Sequence, residues 1–147
     1  MQRLTVPNDV LLPDVERLLD EGTTVTLRVK GRSMLPFIVG GRDSVVLVKV
    51  RHLQEGDMVL ARLAGGRYVL HRIIRISGDA VTLMGDGNLQ GTEQCRTADI
   101  CGKVVKILRN GRYIEPDTPA ERRKASLWRR LRPVRRYLLA VYRRINK

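Results

Sequence analysis

The chain has 147 residues and a mass of 16.7 kDa, which suits one domain of ordinary size. Hydrophobic residues make up 43% of it, which excludes wholesale disorder, and aromatic residues only 4%, so Val, Leu and Ile must build the core. The net charge is +13, of which residues 121–147 carry +10. The body is therefore nearly ordinary in charge, and the basic character belongs to the C-terminal tail.

Several classes of protein are excluded by what the sequence lacks. No apolar run reaches the roughly 18–20 residues of a membrane-spanning helix, and residues 1–22 contain no signal-peptide pattern. The two cysteines, Cys95 and Cys101, are too few for a disulfide framework or a four-ligand zinc site, and we expect reduced, structural thiols. No metal ion or organic cofactor is predicted.

The chain divides into three parts by the period of its apolar residues. Residues 9–21 repeat with a helical period that Gly22 would end, and the period becomes two from Thr23 onward, as in half-buried strands. Short strands separated by turn residues indicate a mainly β sheet or barrel. We predict an N-terminal helical segment (1–22), a β core (23–116) and a helical tail (117–147). The predicted core strands are 25–29, 44–50, 58–63, 67–76, 80–84 and 100–108, with a last short strand within 112–119.

The tail from Ala120 onward reads as a basic amphipathic helix that Pro133 should kink or divide. The tail could lie on an anionic membrane surface, cover the sheet or a second copy of the chain with its apolar face, or bind nucleic acid through its basic residues. A nucleic-acid partner is the least favoured, because no recognised binding motif is present. The oligomeric state stays open.

Ser33 and His71 are the candidate catalytic residues. Ser33 follows a predicted strand and precedes a proline-bearing turn, and His71 lies within a strand among apolar neighbours. A partly desolvated, neutral imidazole is suited to act as a general base for a serine. The spacing of Ser33 and His71 alone, however, favours a structural serine in a turn and a histidine packed in the core. We predict that His52 is a surface residue.

Six segments, taken together in sequence order, favour a catalytic role for Ser33 and His71 over a structural one. They resemble the boxes of the signal peptidase I family and its LexA-like relatives, the serine peptidase families S24 and S26, over about residues 24–108. The G-x-S-M-x-P box matches Ser33, and the [KH]-R-[VI] box matches His71, as in the histidine branch of the family. The segments are GRSMLPFI (31–38), RDSVVLVK (42–49), EGDMVLA (55–61), LHRIIRI (70–76), LMGDGN (83–88) and DICGKVVKI (99–107).

The resemblance implies a fold and a set of roles. The fold would be a coiled, mainly β sheet with a short helix before it and a basic helix after it. Ser33 would attack a peptide carbonyl, His71 would take its proton, and the Ser33 N–H would bind the oxyanion. Gly31 stands where some bacterial members carry a second hydroxyl. Met34 and Pro36 would shape the wall of a substrate groove, and the strand 25–29, which ends at Val29, could pair with an extended substrate by strand addition. Arg72 could bind a substrate carboxylate or have a structural role near the site.

The acid that orients the histidine is left open. Histidine-branch relatives place an acid a few residues beyond the G-D-x-N box, where this chain reads Gly91-Thr92-Glu93-Gln94. Asp86 is the first candidate and Glu93 the second, against the alternatives of a turn aspartate and a solvated surface acid. Lys30 and Lys49 remain possible bases if His71 is misplaced.

We therefore predict a serine endopeptidase that cleaves an extended peptide or precursor with a Ser33/His71 dyad. The family's membrane anchor and DNA-binding domain have no counterpart in the residues ahead of the core, which predicts a minimal stand-alone core. We expect it in the cytoplasm, with the tail able to reach the inner face of the membrane. The alternative is an inactive module that binds peptide, membrane or nucleic acid.

Overall fold

The computed structural model describes residues 3–6, 12–89 and 91–145. The strands are β1 (Arg3–Val6), β2 (Thr24–Arg28), β3 (Asp43–Val48), β4 (Met58–Arg62), β5 (Tyr68–Ser77), β6 (Ala80–Met84), β7 (Glu93–Arg96), β8 (Ile100–Arg109) and β9 (Arg112–Ile114). The helices are α1 (Leu12–Asp20) between β1 and β2, and α2 (Pro119–Arg130) and α3 (Arg135–Ile145) after β9. Residues 9–11 of the predicted first helix lie outside the described residues.

The described strands form one sheet in the order β1-β2-β3-β8-β4-β5-β6-β7, with β9 paired to β8. Apart from the parallel pair β1 and β2, neighbouring strands are antiparallel. The mainly β fold with a short N-terminal helix and helical C-terminal tail is confirmed. Strands β1 and β7 were not predicted; β7 exposes alternate residues and carries little apolar pattern.

Aliphatic side chains fill both faces of the sheet, as the low aromatic content requires. On one face α1 buries Val15 and Leu19 against residues such as Leu47 and Val104. On the other face a smaller cluster forms around Val59, Ile73 and Leu83. Helix α1 contacts both β2 and β8, so it covers the centre of the sheet.

The tail folds back onto the core. Helix α2 is capped at its N-terminus by Thr118, whose side chain accepts the N–H of Glu121, and it ends before a 3₁₀ turn at Arg132–Val134. The division at Pro133 is thus confirmed, since proline cannot continue the hydrogen-bond ladder. Trp128 and Leu139 pack on Leu35. Of the described helices, none has both the length and the apolar content needed to cross a membrane.

Candidate active site

Ser33 lies in a loop of residues 30–42, named here the serine loop, which is closed at its base by backbone hydrogen bonds. Val29 donates its N–H to the Asp43 carbonyl at 3.0 Å and accepts the N–H of Gly41 at 2.9 Å. Gly31 has φ of 85°, a conformation that favours glycine, so a side chain there would be strained. The base of the loop is fixed, and Ser33 is held half-buried in the turn above it.

A buried carboxylate, Asp43, anchors the far side of the serine loop. It accepts hydrogen bonds from Arg42 at 2.8 Å, from Arg109 at 3.1 Å and from the Val39 N–H at 2.9 Å. Arg109 also donates to the Phe37 carbonyl at 2.6 Å. Burial alone would raise the pKa of Asp43, but the hydrogen bonds from Arg42 and Arg109 outweigh it and lower that pKa. Sequence reasoning did not single out Asp43, although it lies in the 42–49 box.

His71 contacts a carboxylate through the nitrogen that points away from the serine loop. Its Nδ1 lies 2.5 Å from Glu93 Oε1, and both side chains are largely buried. An ionised carboxylate only accepts, so Nδ1 is the donor in this contact, and in the neutral imidazole Nε2 is then the nitrogen that holds the free lone pair. Strand β7 brings Glu93 here, because its register places Glu93 beside Leu83 at the end of β6.

Gly85 shows how close His71 lies to the serine loop. A Cβ built on Gly85 would sit 2.3 Å from the Ser33 carbonyl oxygen and 3.1 Å from His71 Nε2. The two atoms are therefore separated by no more than the sum of these distances, and Asn88 Nδ2 lies 3.0 Å from the same Cβ position. Gly87 donates its N–H to the same Ser33 carbonyl at 2.7 Å. The structure thus places the backbone of Ser33 near the His71 ring, around the turn of residues 85–88.

Asp86, the first candidate for orienting the histidine, is bound elsewhere. Its two carboxylate oxygens accept Arg72 Nε at 2.8 Å and Arg72 Nη2 at 2.6 Å, and both side chains are buried. Its carbonyl accepts the indole N–H of Trp128 at 2.6 Å. The structure reverses the order of the two acids as neighbours of His71: Glu93 makes the contact, and Asp86 neutralises a buried arginine.

The residues expected to contact substrate differ in their burial and in their contacts. Met34 is buried, and its sulfur accepts the Asp86 N–H at 3.4 Å. Arg72 is 4% exposed and also donates to the Gly56 carbonyl at 2.8 Å, so its donors serve the protein interior. Pro36 is half-buried beside a cavity of about 140 Å³ that Arg72 also lines.

Val29 and the strand before it have both edges engaged. The backbone of Val29 is bonded at the loop base, as described above, and β2 pairs with β3 along one edge. Strand β1 pairs with the other edge, aligning Arg3 with Thr24 and Val6 with Leu27. A peptide that added to β2 over these residues would therefore have to displace β1.

The remaining candidates take no part in these contacts. Lys49 forms a surface ion pair with Asp20 at 2.9 Å, His52 is exposed, and Lys30 is exposed at the start of the serine loop. Burial raises the pKa of both thiols, to about 11 for Cys95 and about 12 for Cys101, so neither is poised as a nucleophile. Across the described ranges, no group of three His, Cys, Asp or Glu side chains is arranged to hold a metal ion.

Comparison with known proteins matches the sequence of the chain to one family. A family model described as Peptidase S24-like covers residues 2–105. The LexA repressor of Herpetosiphon aurantiacus is 30% identical over 119 residues, which are 74% of this chain and 56% of that protein. LexA repressor 1 of Nocardia farcinica is 32% identical over 101 residues, 69% of this chain and 46% of that protein. The chain spans about half the length of these curated relatives. Since the family model covers more than half of it, the chain belongs to the Peptidase S24-like family.

Proposed function

We propose that the chain is a serine peptidase in which Ser33 is the nucleophile, His71 the general base and Glu93 the residue that orients the imidazole. The observation that carries this proposal is the position of His71, with Glu93 on its Nδ1 and the serine loop beside its Nε2. Nε2 would take the proton of Ser33 Oγ as the oxygen attacks a peptide carbonyl. It would then return that proton to the leaving amine. Water would hydrolyse the acyl-enzyme by the same route.

The backbone at Ser33 supports stabilisation of the oxyanion. The carbonyl of Ser33 is bonded to Gly87, whereas no acceptor among the described residues takes its N–H. A free N–H on the nucleophile's own residue points towards the tetrahedral oxygen in many acyl-transfer enzymes. No described side chain, His71 included, hydrogen-bonds Ser33 Oγ, so the Ser33–His71 hydrogen bond of the proposed mechanism would form when substrate binds.

The surroundings of the site favour an extended peptide as substrate. A sheet edge binds extended backbone through main-chain hydrogen bonds, with few demands on side chains. Because β1 already pairs with β2, an added peptide competes with a strand of the chain itself. We infer that the enzyme acts slowly on free peptides and better on a segment delivered at high local concentration.

The decisive experiment incubates the full chain with a defined mixture of unstructured peptides and identifies new termini by mass spectrometry. We expect cleavage by the wild-type chain and at least about a 10³-fold loss in Ser33→Ala and His71→Ala. Thermal melting shows whether each variant is folded. Cleavage that persists in folded Ser33→Ala would contradict the proposal. Binding of peptide without cleavage by the wild-type chain would favour the inactive module.

A further inference from the structure

A second cavity lies outside the proposed active site, between the tail and the outer strands of the sheet. Its volume is about 630 Å³, a size typical of small-molecule sites. Its walls come from β5, β6 and β7 on one side and from α2, α3 and the turn between these two helices on the other. Five of its lining residues are arginines: Arg75, Arg129, Arg130, Arg132 and Arg135. We name this feature the arginine cavity.

The one carboxylate whose charge is seen to act on Arg135, Asp86, is already paired with Arg72 and does not line the arginine cavity. The lining residues include no carboxylate, and within the described chain none of the five arginines has an ion-pair partner. Elsewhere the fold pairs its buried arginines, as with Arg72 and Asp86. The five positive charges around the arginine cavity repel each other, and the low dielectric constant of the surrounding protein strengthens that repulsion. An anion in the cavity would relieve it.

Arg135 gives the cavity a buried donor without a partner. The residue is 3% exposed, and its Nε donates to no described acceptor. Its Nη1 donates to the Asn88 carbonyl at 3.0 Å, which fixes the guanidinium in place. Burial lowers the pKa of Arg135 against the opposing charge of Asp86, and the nearby Arg132 adds to the lowering. A buried N–H left without an acceptor costs about 1–3 kcal/mol, and the fold bears this cost at a residue that lines the arginine cavity.

The lining favours a phosphate group over other anions. Guanidinium groups bind phosphate oxygens in pairs, and several of them can surround one tetrahedral, doubly charged group. Thr82 and Gln94 add neutral hydrogen-bonding groups on the sheet side of the cavity. A monovalent carboxylate would neutralise fewer of the five charges.

We propose that the arginine cavity is a binding site for a phosphate-bearing anion. This site is separate from the peptidase reaction, and the proposal does not depend on that activity. The phosphate could belong to a soluble compound or to the head group of an anionic lipid. The second source gains support from α2 and α3, which expose Leu127, Tyr137 and Val141 on the same tail. Such a surface suits the boundary between head groups and acyl chains.

The first arm of the test measures binding of pyrophosphate to the full chain by titration calorimetry at constant ionic strength. Arg130→Gln/Arg132→Gln removes two exposed arginines of the cavity. Arg51→Gln/Arg67→Gln removes the same charge at two exposed sites outside it. We expect saturable binding that weakens by roughly tenfold or more in the first pair and by less than about twofold in the second.

The second arm distinguishes the lipid source. Vesicles of phosphatidylglycerol, with phosphatidylcholine vesicles for comparison, are sedimented with the same three proteins. Retention on the anionic vesicles that depends on Arg130 and Arg132, with no binding of pyrophosphate, identifies a lipid head group; the reverse identifies a soluble phosphate. The proposal is overturned if neither probe binds, or if both variant pairs weaken binding equally, because the effect then follows net charge alone.

Discussion

Trp128 donates its indole N–H to the carbonyl oxygen of Asp86 at 2.6 Å, which joins the tail to the turn beside the proposed active site. That turn, residues 85–88, separates Ser33 from His71 through Gly85. Trp128 is also buried against Leu35 of the serine loop. One face of the tail therefore contributes to the site by holding two of its loops, whatever its exposed face binds.

Trp128→Phe should lower both stability and activity. The substitution keeps an aromatic ring against Leu35 but removes the N–H, so the buried Asp86 carbonyl loses its donor. We expect unfolding in urea to show a loss of about 1–3 kcal/mol, and peptide cleavage to fall with it. Leu127→Ala on the same helix is the control, because Leu127 is exposed and should change stability by less than about 0.5 kcal/mol.

Substitutions of Glu93 and Asp86 should have different effects on catalysis and on stability. Glu93→Gln keeps the shape of the side chain but removes the ionised acceptor that holds the proton on Nδ1. We expect kcat to fall by roughly 10²–10⁴-fold, with stability changed by about 1 kcal/mol or less. Steady-state kinetics and urea unfolding measure the two effects.

Asp86→Asn should show the opposite pattern. It leaves the Arg72 guanidinium buried with a neutral partner, which we expect to cost about 3–5 kcal/mol of unfolding free energy. If instead Asp86→Asn abolished cleavage in a fully stable protein while Glu93→Gln cleaved normally, Asp86 would be the orienting acid.

Gly85→Ala tests the packing of the serine loop against the imidazole. The new methyl would lie 2.3 Å from the Ser33 carbonyl and 3.0 Å from Asn88 Nδ2, so the serine loop must shift. Displacements of about 1 Å near reacting atoms can reduce rates by roughly 10²-fold. We expect a loss of kcat of at least that size in a chain that still melts cooperatively. Wild-type kinetics in this variant would mean that the two loops are not in contact in solution.

Asp43 should make the free energy of unfolding decrease as the pH falls into the acid range. Its folded pKa lies below the ordinary value of 3.8, so it stabilises the fold at higher pH and loses that contribution as pH falls through the folded pKa. Asp117, whose pKa Lys103 and Arg122 also lower despite opposing burial, titrates in the same window. Comparison with Asp43→Asn isolates the Asp43 share. We expect that variant to lose about 2 kcal/mol at pH 7 and to show a weaker decline below pH 4.

The sequence predicted the sheet well where an apolar run is bounded by turn residues. Strands such as β6 and β8 stand close to their predicted bounds, because aliphatic and β-branched residues mark both runs. Strand β7 was missed because it is short and polar on its exposed side, and Glu93 was ranked second for the same reason. The preference of Asp86 for Arg72 depends on how β5 meets the 85–88 turn, which no local pattern encodes.

The tail shows a second limit of prediction. Its helical period and the break at Pro133 could be predicted from the sequence. An amphipathic pattern does not, however, indicate what covers the apolar face. Trp128 and Leu139 turn towards the core, while Leu127 and Val141 remain exposed on the same helices. Only the three-dimensional arrangement separates the residues that complete the fold from those left for a partner.

The most direct test of the central claim is covalent labelling of the intact chain with diisopropyl fluorophosphate, followed by peptide mapping. An activated serine attacks the phosphorus and expels fluoride, whereas an ordinary turn serine does not react. We predict one adduct, on Ser33, whose rate of formation falls at least about 10²-fold in His71→Ala. An unmodified Ser33, or equal labelling with and without His71, would contradict the account.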